Sequence, residues 1–331
     1  MKKKRILTAF LLLLLLIALF RLDRESLLYS ISQFPLWLIL LLIALQIVSQ
    51  LLVNLQWFQI AKHTDTDISF RYMFYVNCQG AVADAITPGV KIGGEVVRAL
   101  QISRICDCSK EHSAVIVALQ KLFSVSSLFF IQLFAVGYLI GEVPLLQARY
   151  LQFIIYGVLL SFLFLFSVVF LMPYPIRASL QKAKVSRFLW MLKFRNFLIG
   201  LLDQVSAMRK NIRAWVILCF LSVFIWLLYP IKMYLLAVHL SPDVNAVFIG
   251  AIAFVSYMVA ILPIFPGGLG GFEGAMTGLL LVAGFFLSDA AVVTILFRFI
   301  TFWFVILFSL AFISFVKVCL KSRFSRISGR L

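Results

Sequence analysis

Eight charged residues stand inside otherwise apolar sequence: Asp84, Lys91, Glu95, Arg98, Lys121, Lys232, Glu273 and Arg298. A charge at the centre of a membrane-spanning helix costs about 2.5–3.5 kcal/mol on insertion scales, so such residues pair with one another or line a polar cavity. Three are acids and five are bases, which leaves two bases without a matching acid. Two pairings are readable from the order of residues: Glu95 with Arg98, at i and i+3, and Glu273 with Arg298. Lys121 and Lys232 have stems long enough to reach towards an interface. Structural pairing is one reading of the group. The other is a cavity with a positive surplus, and that suits a phosphate-bearing headgroup.

Most of these charges flank two interruptions, "TPGVKIGGE" and "FPGGLGGFE". From Pro88 to Glu95 and from Pro266 to Glu273 the pattern is the same: Pro-Gly, then a Gly-Gly pair, then a Glu seven residues after the proline. Backbone left without hydrogen bonds in hydrocarbon costs several kcal/mol per group, so a break survives only where protein or water covers it. Proline withdraws a donor and glycine admits backbone angles that other residues resist. A helix restarting after each break would present free N–H groups and a partial positive charge, a site for an anion. The donors expected there are the N–H groups near Gly93, Gly94, Gly270 and Gly271. Packing is the competing explanation: Gly270, Gly274 and Gly278 form a ridge of small residues four apart, which lets helices approach closely.

The elements that must position these residues are membrane helices. Apolar residues make up 63% of the 331 and the mean hydropathy is +1.06, well above a soluble domain. A spanning helix needs about 20 apolar residues, and six stretches approach this: Ile6–Phe20, Phe34–Ala61, His112–Ile140, Tyr150–Met172, Trp215–Leu240 and Ala290–Val316. The start resembles a secretory signal, but no small-x-small cleavage site follows, so Ile6–Phe20 is read as an uncleaved first helix. Two regions, Phe70–Ile105 and Val244–Phe286, carry the breaks.

The net charge of +17 is not a nucleic-acid signal, because the basic residues sit at the ends of apolar runs. Lys2 to Arg5, the basic loop 173–213 and the tail from Lys317 should all be cytoplasmic, with both termini inside. Six full crossings satisfy this if each broken region enters and leaves on one side. Ten crossings satisfy it equally, and the short arms around the breaks favour re-entrant hairpins. The expected fold is therefore an all-α polytopic membrane protein, one integral domain over residues 1–331, with about six full crossings and two broken re-entrant hairpins. The order long helix, hairpin, long helix occurs twice, in halves at about 34–140 and 214–316. On this orientation the hairpins enter from opposite faces, an inverted-topology repeat of the kind found in transporters.

Enzyme signatures are missing from the sequence. Five cysteines form no C-x-x-C pair, and His63, His112 and His239 lie far apart. Asp65 and Asp67 in "HTDTD" make the one D-x-D pair, in a short loop. No metal or cofactor is expected, and without a nucleotide-binding motif the process would be passive or ion-coupled.

"TPGVKIGGEVVRA" and "FPGGLGGFEGAM" resemble the two signature segments of the lysylphosphatidylglycerol synthase transmembrane-region family, and the resemblance covers about residues 6 to 320. Lys91 sits near the position of a basic residue in the family's first motif. The family includes the flippase half of the multiple peptide resistance factor and stand-alone membrane proteins. The resemblance implies a bacterial or archaeal plasma-membrane protein that moves a phosphate-bearing, aminoacylated or polyprenyl lipid between leaflets, as a flippase or scramblase. The aminoacyl-transferase domain of bifunctional members is not expected, since the chain ends at Leu331, just past its last apolar stretch. The substrate-binding set on this reading is Asp84, Lys91, Gly93, Gly94, Glu95, Arg98, Gly270, Gly271, Glu273 and Arg298. The expected partners are a membrane phospholipid or lipid-linked phosphate, with a homodimer and a separate lipid-modifying enzyme left open, and no nucleic acid. Two alternatives remain at this point: an intramembrane lipid-linked transferase, and an accessory subunit whose 173–213 segment docks a separate lipid synthase or binds anionic lipid.

Overall fold

The computed structural model describes residues 24–87, 92–182, 189–261, 268 and 270–319. The described residues form helices without strands. In chain order they are α1 (Arg24–Ser32), α2 (Leu36–His63), α3 (Phe70–Ile86), α4 (Ile92–Cys106), α5 (Lys110–Glu142), α6 (Arg149–Leu171), α7 (Pro173–Lys182), α8 (Leu189–Lys210), α9 (Ile212–Leu240), α10 (Ala246–Ile261), α11 (Gly271–Val282), α12 (Leu287–Arg298) and α13 (Phe304–Cys319). A π-helical turn, Phe299–Trp303, joins the last two into one continuous span.

Among the described residues, five helices are long and apolar enough to cross a membrane: α2, α5, α6, α9 and the combined Leu287–Val318. They fall on five of the six stretches expected from hydropathy. The sixth, Ile6–Phe20, lies outside the described residues. The protein is thus an all-α polytopic membrane protein. The arms around the two breaks are short: 17 and 15 residues for α3 and α4, and 16 and 12 for α10 and α11. At 1.5 Å per residue they reach roughly 18–26 Å, less than the hydrocarbon thickness of about 30 Å.

Local chemistry sets the helix starts. Ser69 caps α3 by accepting from the Tyr72 N–H, Ser109 caps α5 by accepting from His112, and Asn211 caps α9 by accepting from Ala214. Each supplies an oxygen to a donor that the first turn leaves unpaired.

The helices α2 to α5 and α9 to α13 repeat one order, long, short, short, long, and their packing corresponds too. Helix α3 lies against α4 and α2, as α10 lies against α11 and α9. Each unit also lends its last long helix to the other: α13 packs on α3, through Phe308 and Phe312 against Phe74, and α5 packs on α10, with Tyr138 against Phe248. The two units meet along α2 and α9. Gln46 there contacts Lys232, and ten residues on, Gln56 contacts Ser222, ten residues earlier in α9, so the pair runs antiparallel.

Two apolar cores result. One surrounds the first short pair, with Trp57, Ile60, Met73, Ile102, Ile116 and Phe123. The other surrounds the second, with Leu42, Leu139, Met233, Ile252, Phe272 and Phe297. The segment read as a basic loop over 173–213 is mostly helical. Helices α7 and α8 fold against one another, and Leu201, Val205 and Met208 of α8 join the first core. Its basic residues hid that apolar face: α8 alternates Lys193 and Arg195 with apolar residues that face inward further along.

Candidate functional site

The broken segments bring three acids and three bases together, and the pairing differs from the sequence expectation in one half. Arg98 pairs with Asp84, not with Glu95: its Nη1 lies 3.1 Å from Asp84 Oδ2, with the side chains 11% and 14% exposed. The cause is the reversal between α3 and α4, which sets the end of one arm beside the start of the other. Arg98 crosses directly over Gly80, where a Cβ would collide with its guanidinium, and its Cζ lies 5.6 Å from the Trp57 ring centroid. Glu95, one turn earlier on α4, faces α5 instead and meets Lys121 at 2.8 Å. Lys121 is therefore an ion-pair partner rather than a side chain stretched towards an interface.

In the second half the expected pair forms. Glu273 Oε1 lies 3.1 Å from Arg298 Nε, with exposures of 17% and 9%. The guanidinium lies over the Phe272 and Phe302 rings, 4.9 and 4.2 Å from their centroids. The π-helical turn begins at the next residue and brings Phe302 under it. The two halves correspond here as well. In each, the glutamate of the motif pairs with a base eleven residues into the long helix that follows, Lys121 from Lys110 and Arg298 from Leu287. That is about 16 Å along the helix.

Both short helices after the breaks are capped by carboxylates of the protein. Asp84 Oδ1 accepts from the Gly94 N–H at 3.0 Å, and Glu273 Oε2 accepts from the Gly270 N–H at 2.7 Å. Two of the donors expected to face an anion are thus engaged internally in this conformation. The side chain of Thr87 fills the space that a Cβ at Gly93 would need, and the Asp84 carboxyl does the same at Gly94. Gly270 has φ of +84°, a conformation that favours glycine, and it precedes Gly271, the first residue of α11. Along the ridge of Gly270, Gly274 and Gly278, a Cβ would meet no described atom within 4 Å. Lys91 and the prolines Pro88 and Pro266 lie outside the described residues.

The three pairs differ in access. Asp84–Arg98 and Glu273–Arg298 are enclosed, whereas the side chains of Glu95 and Lys121 are 27% and 33% exposed. This pair borders a groove of about 460 Å³ between α4, α5, α6 and α8. Apart from the pair, its walls are apolar, with Val96, Val125, Phe166 and Phe197 among them. A charged pair on an apolar groove suits an amphipathic molecule with a polar head and a hydrocarbon tail.

Sequence reasoning missed the polar seam between the two cores. Gln56 donates to Ser222 and accepts from Gln120, and Lys232 donates to Gln46 and to Ser49 at 3.1 Å. Its signal was present, since Gln46, Ser49, Asn54 and Gln56 are polar residues in the middle of a spanning helix. Cys108, in the turn after α4, has its thiol held above its ordinary range by burial. Among the described residues no group of three or more His, Cys, Asp or Glu gathers as metal ligands would.

Comparison with known proteins adds a family. The model of the lysylphosphatidylglycerol synthase TM region matches residues 6–309. A UPF0104 membrane protein of Methanocaldococcus jannaschii is 28% identical over 279 residues, covering 80% of each chain. A UPF0104 membrane protein of Methanothermobacter thermautotrophicus is 25% identical over 283 residues, covering 80% of this chain and 81% of its own. A third, from Pyrococcus horikoshii, is also 25% identical over 283 residues, covering 80% and 83%.

Proposed function

We infer the work of this chain from one premise: it belongs to the lysylphosphatidylglycerol synthase TM region family. Its function on this reading is to move a phosphate-bearing lipid between the leaflets of a bacterial or archaeal plasma membrane, as a flippase or scramblase. The observation that carries this is the half-open Glu95–Lys121 pair on an apolar groove. An acyl chain lies along Val96, Val125, Phe166 and Phe197, and the lipid phosphate takes Lys121 in place of Glu95. Charge-assisted hydrogen bonds to phosphate are among the stronger polar contacts. The exchange leaves Lys121 with an anionic partner throughout, so the base is never buried without a counter-charge.

The two short helix pairs are re-entrant hairpins that enter from opposite faces, in an inverted repeat with both termini cytoplasmic. Three features support this: arms shorter than the hydrocarbon, matched packing of the two units, and Lys/Arg-rich segments at 2–5, 173–213 and beyond 317. Asp84–Arg98 and Glu273–Arg298 hold the hairpin tips at the membrane interior, and Asp84 and Glu273 cap the helices that restart there. The headgroup path follows the tips. Gly93, Gly94, Gly270 and Gly271 keep the backbone close.

A photoactivatable phospholipid tests the reading. In native-composition liposomes it should cross-link to groove residues such as Val125 or Phe197, and Lys121→Gln should weaken the labelling. Labelling confined to the outer surface of α6, unchanged by Lys121→Gln, overturns the site.

A further inference from the structure

Lys232 is the one described intramembrane base with no acid. Of the five bases inside apolar sequence, Arg98, Lys121 and Arg298 hold Asp84, Glu95 and Glu273, and Lys91 lies outside the described residues. Lys232 is 3% exposed, at the seam between the two units and between the two apolar cores. It donates to two neutral oxygens, Gln46 Oε1 and Ser49 Oγ, both on α2. No ion pair joins it to any carboxylate among the described residues.

The surrounding helices offer no counter-ion. Between Leu36 and Ala61, α2 carries no titratable residue. Helices α5, α8, α10 and α12 also pack on α9. Lys121 of α5 and Arg298 of α12 are held by glutamates, and Asp203 of α8 is held by Arg177. Glu142 and Tyr138 of α5 stand at its exposed end and against Phe248. Tyr257 of α10 packs edge-on to Trp226 and to Tyr229, the tyrosine one turn before Lys232 on its own helix. A buried ammonium with neutral partners is held less firmly than one with a carboxylate. Lysine, unlike arginine, can also give up its proton within the biological range.

We propose that Lys232 is a proton-binding site at the junction of the two units, and that gain and loss of this proton shifts one unit against the other. The step is R–NH3+ to R–NH2 plus a proton released to the aqueous phase. The charged form donates to both Gln46 and Ser49 across the α2–α9 contact. The neutral amine keeps two donors for these two oxygens but loses the charge that strengthens each bond, so that contact weakens. Pro230, two residues earlier in α9, removes the N–H that the Trp226 carbonyl would otherwise accept, and so gives the helix a place to bend. The ligand at this site is a proton and the function is ion coupling. The inference rests on the two-unit reading of the proposed function but not on lipid movement.

The test uses a cysteine-free full-length chain in nanodiscs with nitroxide labels at Lys62→Cys on α2 and Arg213→Cys on α9, both exposed. The distance between the labels is read from pH 5 to 10. The parent chain should pass between two distances with the slope of a single proton. Lys232→Arg should hold the low-pH distance throughout, and Lys232→Gln the high-pH distance. Gln46→Glu leaves the lysine in place but supplies a counter-ion, so it should also hold the low-pH distance and covers the case in which substitution of the lysine prevents folding. A parent distance that ignores pH overturns the proposal, as does a transition that survives in Lys232→Gln or in Gln46→Glu. A chain that moves lipid but shows no such transition loses the proton site alone.

Discussion

Lys121→Gln and Arg298→Gln should separate binding from stability, because the structure places two matched ion pairs in different surroundings. Arg298 is 9% exposed and Glu273 17%. Removing one partner of an enclosed pair costs about 3–5 kcal/mol. Loss of the stacking on Phe272 and Phe302 adds about 0.5–2 kcal/mol. Lys121 and Glu95 are 33% and 27% exposed, so a side chain left alone there can turn towards the mouth of the groove, and breaking this pair costs less than breaking the enclosed one. Thermal unfolding in detergent should therefore show a large loss for Arg298→Gln and a smaller one for Lys121→Gln. Transport should not follow the same order. If the lipid phosphate takes Lys121, its loss removes a charged hydrogen bond worth about 1.5–3 kcal/mol. That is roughly ten- to hundredfold in rate, measured with a fluorescent phospholipid in proteoliposomes. Lys121→Gln that is folded and transports at the parental rate refutes the assignment. A Lys121→Gln chain as unstable as Arg298→Gln refutes the physical distinction between the two pairs.

Further outcomes follow from the same geometry. Asp84→Asn removes the charge that pairs with Arg98 and leaves only a neutral acceptor for the Gly94 N–H. It should destabilise by about 3–5 kcal/mol, with Asp84→Asn plus Arg98→Gln partly restoring the melting temperature. Gly270→Ala should cost about 1–2 kcal/mol through its positive φ, whereas Gly274→Ala and Gly278→Ala, with open space around them, should stay within about 0.5 kcal/mol in the same melts. Single cysteines at Asp67 and Ser109 should label from the cytoplasm and those at Asn245 and Ser288 from outside. Labelling of Asn245 and Ser288 from opposite faces rules out a re-entrant second hairpin.

The spans were legible because membrane helices announce themselves by length and hydropathy. Expectation and structure differ by a few residues at each end, as between Trp215–Leu240 and Ile212–Leu240. The Glu273–Arg298 pair was legible because few other charges stand nearby. The first half was not, since Arg98 had two acids within reach in sequence, and only the reversal at Thr87 decides for Asp84 over Glu95. Lys121 was read as a side chain reaching for the interface because its partner lies on another helix, and spacing carries no information across a turn. The caps on Gly94 and Gly270 were hidden for a similar reason. A carboxylate near a helix start reads as charge, while its acceptor role depends on backbone direction. The helices of 173–213 were masked by their many lysines and arginines, which read as a loop, while Leu201, Val205 and Met208 of α8 supply the buried face.

The central claim is that this chain alone carries lipid across the bilayer. The most direct measurement places the purified protein in liposomes with a trace of nitrobenzoxadiazole-labelled phospholipid and adds dithionite, which bleaches label only in the outer leaflet. The account predicts bleaching beyond the outer-leaflet share, at a rate that rises with the amount of protein and falls with Lys121→Gln. Bleaching that stops at the outer-leaflet share, in vesicles shown to hold folded and inserted protein, contradicts it.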